Sequence, residues 1–407
     1  MRDVAVVGVG MTRFGKFPEK TIKDLVREAV TDAMADCNAS IPDIQAAYVG
    51  SAAAGIMTGQ EQIRAQVTLS AMGIEAIPMV NVENACASSS TAFHLAWAAV
   101  GAGLYDVVLV VGFEKLFDED KKKSFQALGT AVDVEMVKKF LEDFAKQQKS
   151  ENILSEGAGQ KKSIFMDMYA YYTRMYMERY NLTQEHFAKI AVKSHKNGAK
   201  NPHAQYQEEV TLEQVLSSGD VSFPLTRMMC SPVGDGAAAA IICSRDQVAR
   251  FSRKPVWVLA SALGSGKPSA GLSDTLTKRL GPRAFSAARI SPSDVDVIEV
   301  HDATSPSEII TLIELGLVPG EQAGFYIDES FLEIDGKLPT NTSGGLASKG
   351  HPIGATGAGQ IHEIVNQLRG TAGPRQVKAP KIGMTHNGGG ILGVDAAAMA
   401  LHIFKAD

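Results

Sequence analysis

The stretch Ser291-Pro292-Ser293-Asp294-Val295-Asp296-Val297-Ile298-Glu299-Val300 repeats in kind an earlier one, Ile41-Pro42-Asp43-Ile44-Gln45-Ala46-Ala47-Tyr48-Val49-Gly50. Each is a proline- and aspartate-bearing turn running into a short apolar strand. The flanks repeat as well. Val4-Ala5-Val6-Val7 reads as a buried strand ending in Gly8 and Gly10, and Thr21 to Cys37 follows with Leu25, Ala29, Val30 and Ala33 at helical spacing; late in the chain Val256 to Ala260 forms the matching first strand. Asp106 to Gly112 is apolar enough to be covered on both faces. Gly344 to Gly359 enters a helix through Ile361, Ile364, Val365 and Leu368, at the place where Cys86 opens a helix in the first half. Gly234-Asp235-Gly236-Ala237 before the strand Ala238 to Cys243 is echoed by Gly388-Gly389-Gly390 before the strand Val394 to Leu401. The order implies an α/β fold made by duplication of a βαβαβ-type unit, with ligand chemistry where the halves meet.

A chain of 407 residues exceeds the usual size of a single core. Residues 1–116 with 226–250 read as the first half, 251–407 as the second, and 117–225 as an inserted, mostly helical segment richer in Lys, Met, Tyr and Gln. Within the insertion Met166, Met168, Tyr169, Tyr172, Met175, Tyr176 and Tyr180 recur at helical spacing, which favours packing over a cofactor cage. A net charge of -5 argues against nucleic acid as the main partner, so an anionic ligand must be held locally. The four cysteines, Cys37, Cys86, Cys230 and Cys243, lack zinc-type spacing, and with no secretory leader a reducing cytoplasm is expected. No apolar run is long enough to span a membrane.

Cys86 lies in Asn84-Ala85-Cys86-Ala87-Ser88-Ser89-Ser90-Thr91, directly before the apolar helical run Ala92 to Val100. A thiol at a helix N-terminus is favoured as thiolate, which makes a nucleophile; a small buried hydrophobe is the alternative. Three consecutive serines need partners of their own and fit a plain core position poorly. His301, His351 and His386 stand at strand ends or in Gly-rich loops, whereas His94, His186, His195, His203, His362 and His402 read as structural or solvated. No residue set suggests a bound metal.

Taken in order, Asn-Ala-Cys-Ala-Ser-Ser, His-Asp-Ala-Thr at 301–304, Gly-His-Pro-Ile-Gly-Ala-Thr-Gly at 350–357 and His-Asn-Gly-Gly-Gly at 386–390 resemble the thiolase superfamily, nearest its sterol-carrier-type and archaeal-type branch. Lys196 to Pro202 and Cys230-Ser231-Pro232-Val233-Gly234-Asp235-Gly236-Ala237 extend the match over nearly the whole chain. The resemblance implies two βαβαβαββ halves in a five-layer αβαβα fold and a Claisen-type reaction on coenzyme A thioesters, with CoA a co-substrate and no permanent cofactor. It implies Cys86 as the acyl-carrying nucleophile and His351 as its base. His351 and His301 would steady the thioester enolate, while the backbone N–H groups of Cys86 and Gly388 would form a second oxyanion hole.

Two departures stand out. The second thiol of related enzymes is replaced by His386 in one motif and by Ala303 in the other, which gives the acid/base role to His386 and leaves Cys86 as the site's single thiol. Lys193, Lys196 and Lys200 are expected near the CoA phosphates, while Lys121 to Lys123 read as solvated. A homodimer core and an accessory subunit with a zinc ribbon and an OB fold are typical of the branch. The substrate readings are an aromatic or branched 3-oxoacyl-CoA such as benzoylsuccinyl-CoA, acetoacetyl-CoA, or an aldolase or acyltransferase variant; a non-catalytic subunit is disfavoured.

Overall fold

The computed structural model describes residues 1–136, 163–393 and 395–407. Its strands are β1 (Val4–Met11), β2 (Ala46–Gly50), β3 (Met79–Val82), β4 (Val107–Glu114), β5 (Asp220–Ser222), β6 (Leu225–Thr226), β7 (Gly236–Ser244), β8 (Val256–Ser265), β9 (Val297–Glu299), β10 (Ile382–Leu392) and β11 (Asp395–Ala406). The helices used below are α1 (Ile22–Cys37), α2 (Ala54–Thr58), α3 (Arg64–Ser70), α4 (Ser88–Gly101), α5 (Lys121–Leu128), α6 (Ile164–Tyr180), α7 (Gln184–Gly198), α8 (Leu212–Leu216), α9 (Leu276–Ala288), α10 (Ser305–Glu314), α11 (Ala323–Asp328) and α12 (Thr356–Arg369).

The strand order β3-β2-β4-β7-β1-β8-β11-β10-β9 displays the duplication. β1 and β8 share a ladder of two residue pairs, Ala5↔Trp257 and Val6↔Val256, and on either side of it the order runs first strand, last strand, third strand, second strand. A fifth strand, β3, completes the first half; in the second it shrinks to the single bridge Ile298↔Thr340. α4 and α12 pack on each other and on strands of both halves, α1 covers β1 and β7, and α9 covers β8 and β11. This gives the five layers αβαβα, and small residues let the two central helices approach: α12 carries Gly357 and Ala358 where it meets Ser89 and Ser90 of α4.

Gly112 and Gly357 show how tight the centre is. A side chain at Gly112 would run into Ser89 and the Gly354 carbonyl, and one at Gly357 would run into Ser90. The two halves differ at their last hairpin. β10 returns into β11 at once, Leu392 pairing with Asp395, while β4 and β7 are separated by the excursion that carries α5 to α8. Asp235 closes that excursion by accepting from the backbone N–H groups of Phe17, Leu116 and Phe117 and pairing with Lys115 at 2.7 Å. Asp395 does the same work at the matching strand start, accepting from Leu276 and Lys267 N–H and pairing with Arg279 at 2.7 Å. The echo of Gly234 to Ala237 therefore falls at Gly393 to Ala396, with Asp395 as its acid, and not at Gly388 to Gly390, which lie inside β10. Val394 itself, where the expected strand began, lies outside the described residues, as does part of the expected insertion at 137–162.

Candidate active site

Both central helices begin beside the same cavity. The chain leaving β3 turns sharply at Ala85, whose φ of 48° is left-handed, and places Cys86 two residues ahead of α4. The turn is held by local bonds: Ala87 N–H to Asn84 carbonyl at 2.9 Å, Ser88 N–H to Ala85 carbonyl at 3.1 Å, and Ser88 Oγ donating to the Ala85 carbonyl at 2.6 Å. Every one of the three serines is partnered. Ser89 Oγ accepts from Ala358 N–H at 3.0 Å and Ser90 Oγ donates to Asn387 Oδ1 at 2.6 Å, so two of them tie the nucleophile loop to the second half.

The second half answers with imidazoles. Cys86 Sγ and one ring nitrogen of each of His301 and His351 lie within 4.8 Å of one another, and the two rings meet edge to face at 5.0 Å. Hydrogen bonds fix which nitrogen carries each proton. Thr356 Oγ1 donates to the Pro352 carbonyl and stands 2.7 Å from His351 Nδ1, so Nδ1–H donates and Nε2 keeps a free lone pair. Asn387, its amide oxygen taken by Ser90, donates its NH2 to His301 Nδ1 at 3.0 Å, so His301 carries its proton on Nε2. One ring is thus prepared as a base and the other as a donor. Burial holds His301 down to about 4, and burial with the charges of His301 and Lys349 puts His351 well below its ordinary value, so both are neutral.

The thiol itself does not follow the expectation of a resting thiolate. Burial, then the nearby Glu114 and Glu83 carboxylates, push Cys86 up to about 12, against the N–H groups of Cys86 and Gly390, which lower it. The sulfur rests protonated and needs a base. The close backbone approach also shifts along β10: a side chain at Gly389 would collide with the Asn84 carbonyl and the amide nitrogens of Ala87 and Cys86, whereas Gly388 has room, its virtual Cβ no nearer than 3.7 Å to Met399.

His386 borders the cavity with a partner at each ring nitrogen. Its Nδ1 accepts from the His301 backbone N–H at 3.4 Å, its Nε2 stands 3.3 Å from Thr277 Oγ1, and burial lowers it to about 3. Two of the three lysines expected near the CoA phosphates are in ion pairs. Lys193 is buried, with its Nζ on Glu308 Oε1 and the Thr340 carbonyl, each at 2.6 Å; Lys196 pairs with Glu333 at 3.1 Å; neither they nor Lys200 border the cavity. Among the described residues, the cations that do are Arg13, Lys16, Lys121 and Arg227.

The cavity measures about 1390 Å³, ample for a large acyl group together with part of a carrier. One wall is α6, whose Phe165, Met168, Tyr169 and Tyr172 face it; the Met/Tyr stripe therefore lines a site where sequence spacing favoured packing, although Tyr176 is buried as expected. Cys230 also borders it, bonding through Sγ to the Thr226 carbonyl at 3.4 Å beside the residue pair Ala303 and Thr304, so Cys86 is not the cavity's single thiol. Cys230 and Tyr169 were missed because they come from the excursion, whose fold no local pattern relates to Cys86.

Two α/β halves that meet at a Cys–His site define a recognisable class, and the comparisons name it. Residues 4–222 match the model for the thiolase N-terminal domain and residues 269–402 the thiolase C-terminal domain-like model. The chain is 38% identical to an acetyl-CoA acetyltransferase of Methanothermobacter thermautotrophicus over the full length of both, and 36% identical to human sterol carrier protein 2, covering 98% of this chain and 71% of that one. Among solved structures, "Ltp2-ChsH2(DUF35) aldolase" superposes with a TM-score of 0.77 at 23% identity over 100% of this chain and 98% of the other; human mitochondrial 3-ketoacyl-CoA thiolase in complex with CoA gives 0.70 at 18% over 100% and 98%. The chain belongs to the thiolase family. It is an acyltransferase with coenzyme A as co-substrate.

Proposed function

We propose that the chain cleaves a 3-oxoacyl-CoA with CoA, through an acyl group carried on Cys86. The observation that supports this most is the pair of imidazoles about the thiol: His351 with a bare Nε2 and His301 with a proton-bearing Nε2, each with a ring nitrogen close to the one sulfur. His351 takes the Cys86 proton, the thiolate attacks the keto carbon, and the C–C bond breaks to leave a thioester enolate. His301 Nε2–H donates to the enolate oxygen, and the charge on protonated His351 adds to it. The first tetrahedral oxyanion is held by backbone N–H groups of the Cys86 turn and of the Gly388 to Gly390 run, which close on each other from the two halves. Removing one such donor costs roughly 2.7–4 kcal/mol of transition-state stabilisation.

The acyl group we favour is bulky and aromatic or branched, of the benzoylsuccinyl-CoA kind. Phe117, Phe125, Phe165, Tyr169 and Tyr206 give the cavity an aromatic character that a two-carbon acyl group would not fill. Full-length similarity to acetyl-CoA acetyltransferases favours acetoacetyl-CoA as the second reading. An assay of 3-oxoacyl-CoA esters with free CoA decides between them: turnover of an aryl ester at least tenfold above acetoacetyl-CoA is expected, and the reverse ratio overturns the preference. Cleavage of a 3-hydroxyacyl-CoA to a carbonyl product and a shorter acyl-CoA without free CoA would indicate an aldolase instead.

β3 offers its edge and Val80 to solvent, which suits a homodimer, while the zinc-ribbon and OB-fold accessory subunit rests on the branch resemblance together with the DUF35 named in one neighbour. Light scattering of the chain alone, and of the chain purified with such a partner, tests both. The four cysteines form no disulfide with one another, which suits a reducing compartment, and no helix among the described residues is long and apolar enough to cross a membrane.

A further inference from the structure

The cleavage just described, on which this inference rests, needs one more group. The enolate carbon must gain a proton, and the incoming CoA thiol must lose one. His351 is occupied holding the Cys86 proton, His301 meets the oxygen, and His386 is held by bonds at both ring nitrogens. The α6 helix supplies another candidate. Ser163 caps it by accepting from Phe165 N–H, and the spacing of Phe165, Tyr169 and Tyr172 turns one face to the cavity. Tyr172 is spent: with Tyr176 it donates to Glu314 Oε1, each at 2.7 Å, which pins α6 to α10. Tyr169 has no such bond to a described residue, borders the cavity together with Cys86, and its phenol feels the charge of the Cys86 sulfur.

We propose that Tyr169 is the proton carrier of the reaction, the catalytic acid toward the enolate carbon and then, as phenolate, the base toward CoA. The cycle balances. After His351 has taken the Cys86 proton and the C–C bond has broken, the Tyr169 O–H bond breaks as a C–H bond forms at the enolate carbon, and the shortened acyl-CoA leaves. Free CoA gives its thiol proton to the Tyr169 phenolate, the CoA thiolate attacks the Cys86 thioester, and the expelled Cys86 thiolate recovers its proton from His351. No electron or proton is left over.

The order of proton affinities supports the assignment. Burial first, and then Cys86, raise the phenol above its ordinary value near 10. It therefore stands above a thiol, ordinarily about 8.5, and a thioester carbon acid is far weaker than either, so the phenol donates downhill to the enolate and recovers its proton downhill from CoA.

Exchange of the α-hydrogens of an acyl-CoA with deuterium oxide tests this directly, with benzoyl-CoA plus succinyl-CoA as one probe and acetyl-CoA alone as the other. Tyr169→Phe removes one unbonded oxygen and keeps the ring. It is expected to leave iodoacetamide alkylation of Cys86 within twofold of wild type and KM for the 3-oxoacyl-CoA little changed, while exchange and thiolysis kcat fall about 100-fold or more. Exchange within threefold of wild type in Tyr169→Phe, or exchange lost in His386→Gln and kept in Tyr169→Phe, overturns the assignment. Absence of exchange in the wild type with both probes overturns it too, and mass spectrometry of Cys86 in the same samples reports separately whether the acyl-enzyme reading stands.

Discussion

α4 and α12 occupy equivalent places in the two halves, yet their N-terminal loops do opposite jobs. The loop before α4 presents a thiol and is braced by hydroxyls, Ser88 within its own turn and Ser89 and Ser90 across to the second half. The loop before α12 presents His351 and is braced by Thr356 and by Glu114, whose buried carboxylate accepts from Gly354 N–H at 3.0 Å as well as from Ala52 and Ala53. Duplication gave two identical frames, and function came from filling them differently. Each half reaches into the other for its support, so neither loop is ordered by its own half alone.

The largest effect should come from the thiol side. Cys86→Ala is expected to lower kcat/KM by about 10⁴-fold or more with the fold intact, since the later steps have no acyl carrier without it. On the imidazole side, His351→Ala should cost about 10²–10⁴-fold in kcat and slow iodoacetamide alkylation of Cys86 at neutral pH in parallel, because the thiol rests protonated. Equal alkylation in both proteins would mean that the second loop does not serve the first.

The matched aspartates sharpen the contrast. Asp235 is fully buried and Lys115 keeps only 13% of its side chain in solvent, so Asp235→Asn should cost about 3–5 kcal/mol in urea unfolding. Asp395→Asn should cost less, about 1–3 kcal/mol, as Arg279 keeps a quarter of its side chain in solvent and the hairpin it starts is closed by β-pairing. A reversed order would show that the excursion is not anchored at Asp235.

Acid should strain the second half first. His301 lies near 4 and His362, His386 and His402 near 3, all held down by burial and all after residue 300. Their folded values are below the unfolded 6.5, so the stability they contribute is complete above that pH and is lost as pH falls toward 4–3. Between pH 7 and 6 the four together should cost about 3 kcal/mol, read as a falling Tm with amide protection lost first around β10 and β11. The smallest effect is expected for Ser90→Ala, about 1 kcal/mol in stability with a several-fold loss in kcat as Asn387 loses its orientation.

Much of this was legible in the sequence. The paired Pro/Asp turns and strands gave the duplication, and Cys86, His301 and His351 each stand at the end of an element, where local pattern and chemistry agree. What escaped depends on distance. Lys193 reads as a lysine near the CoA phosphates until Glu308, 115 residues away, is placed against it. Gly388 and Gly389 differ by one residue on a strand, and only the register of β10 decides which faces the Cys86 turn. Tyr169 has the same spacing as the packed Tyr176, and only the fold of the excursion separates a cavity wall from a core.

The central claim is that the two loops jointly load an acyl group onto one sulfur. Incubating the protein with a 3-oxoacyl-CoA in the absence of free CoA, quenching in acid and sequencing the peptides by mass spectrometry tests it. The account predicts an acyl mass on the peptide carrying Cys86, absent in Cys86→Ala, strongly reduced in His351→Ala and removed by adding CoA. An enzyme that turns over the same ester with Cys86 unmodified, or with the acyl group on Cys230, would contradict it.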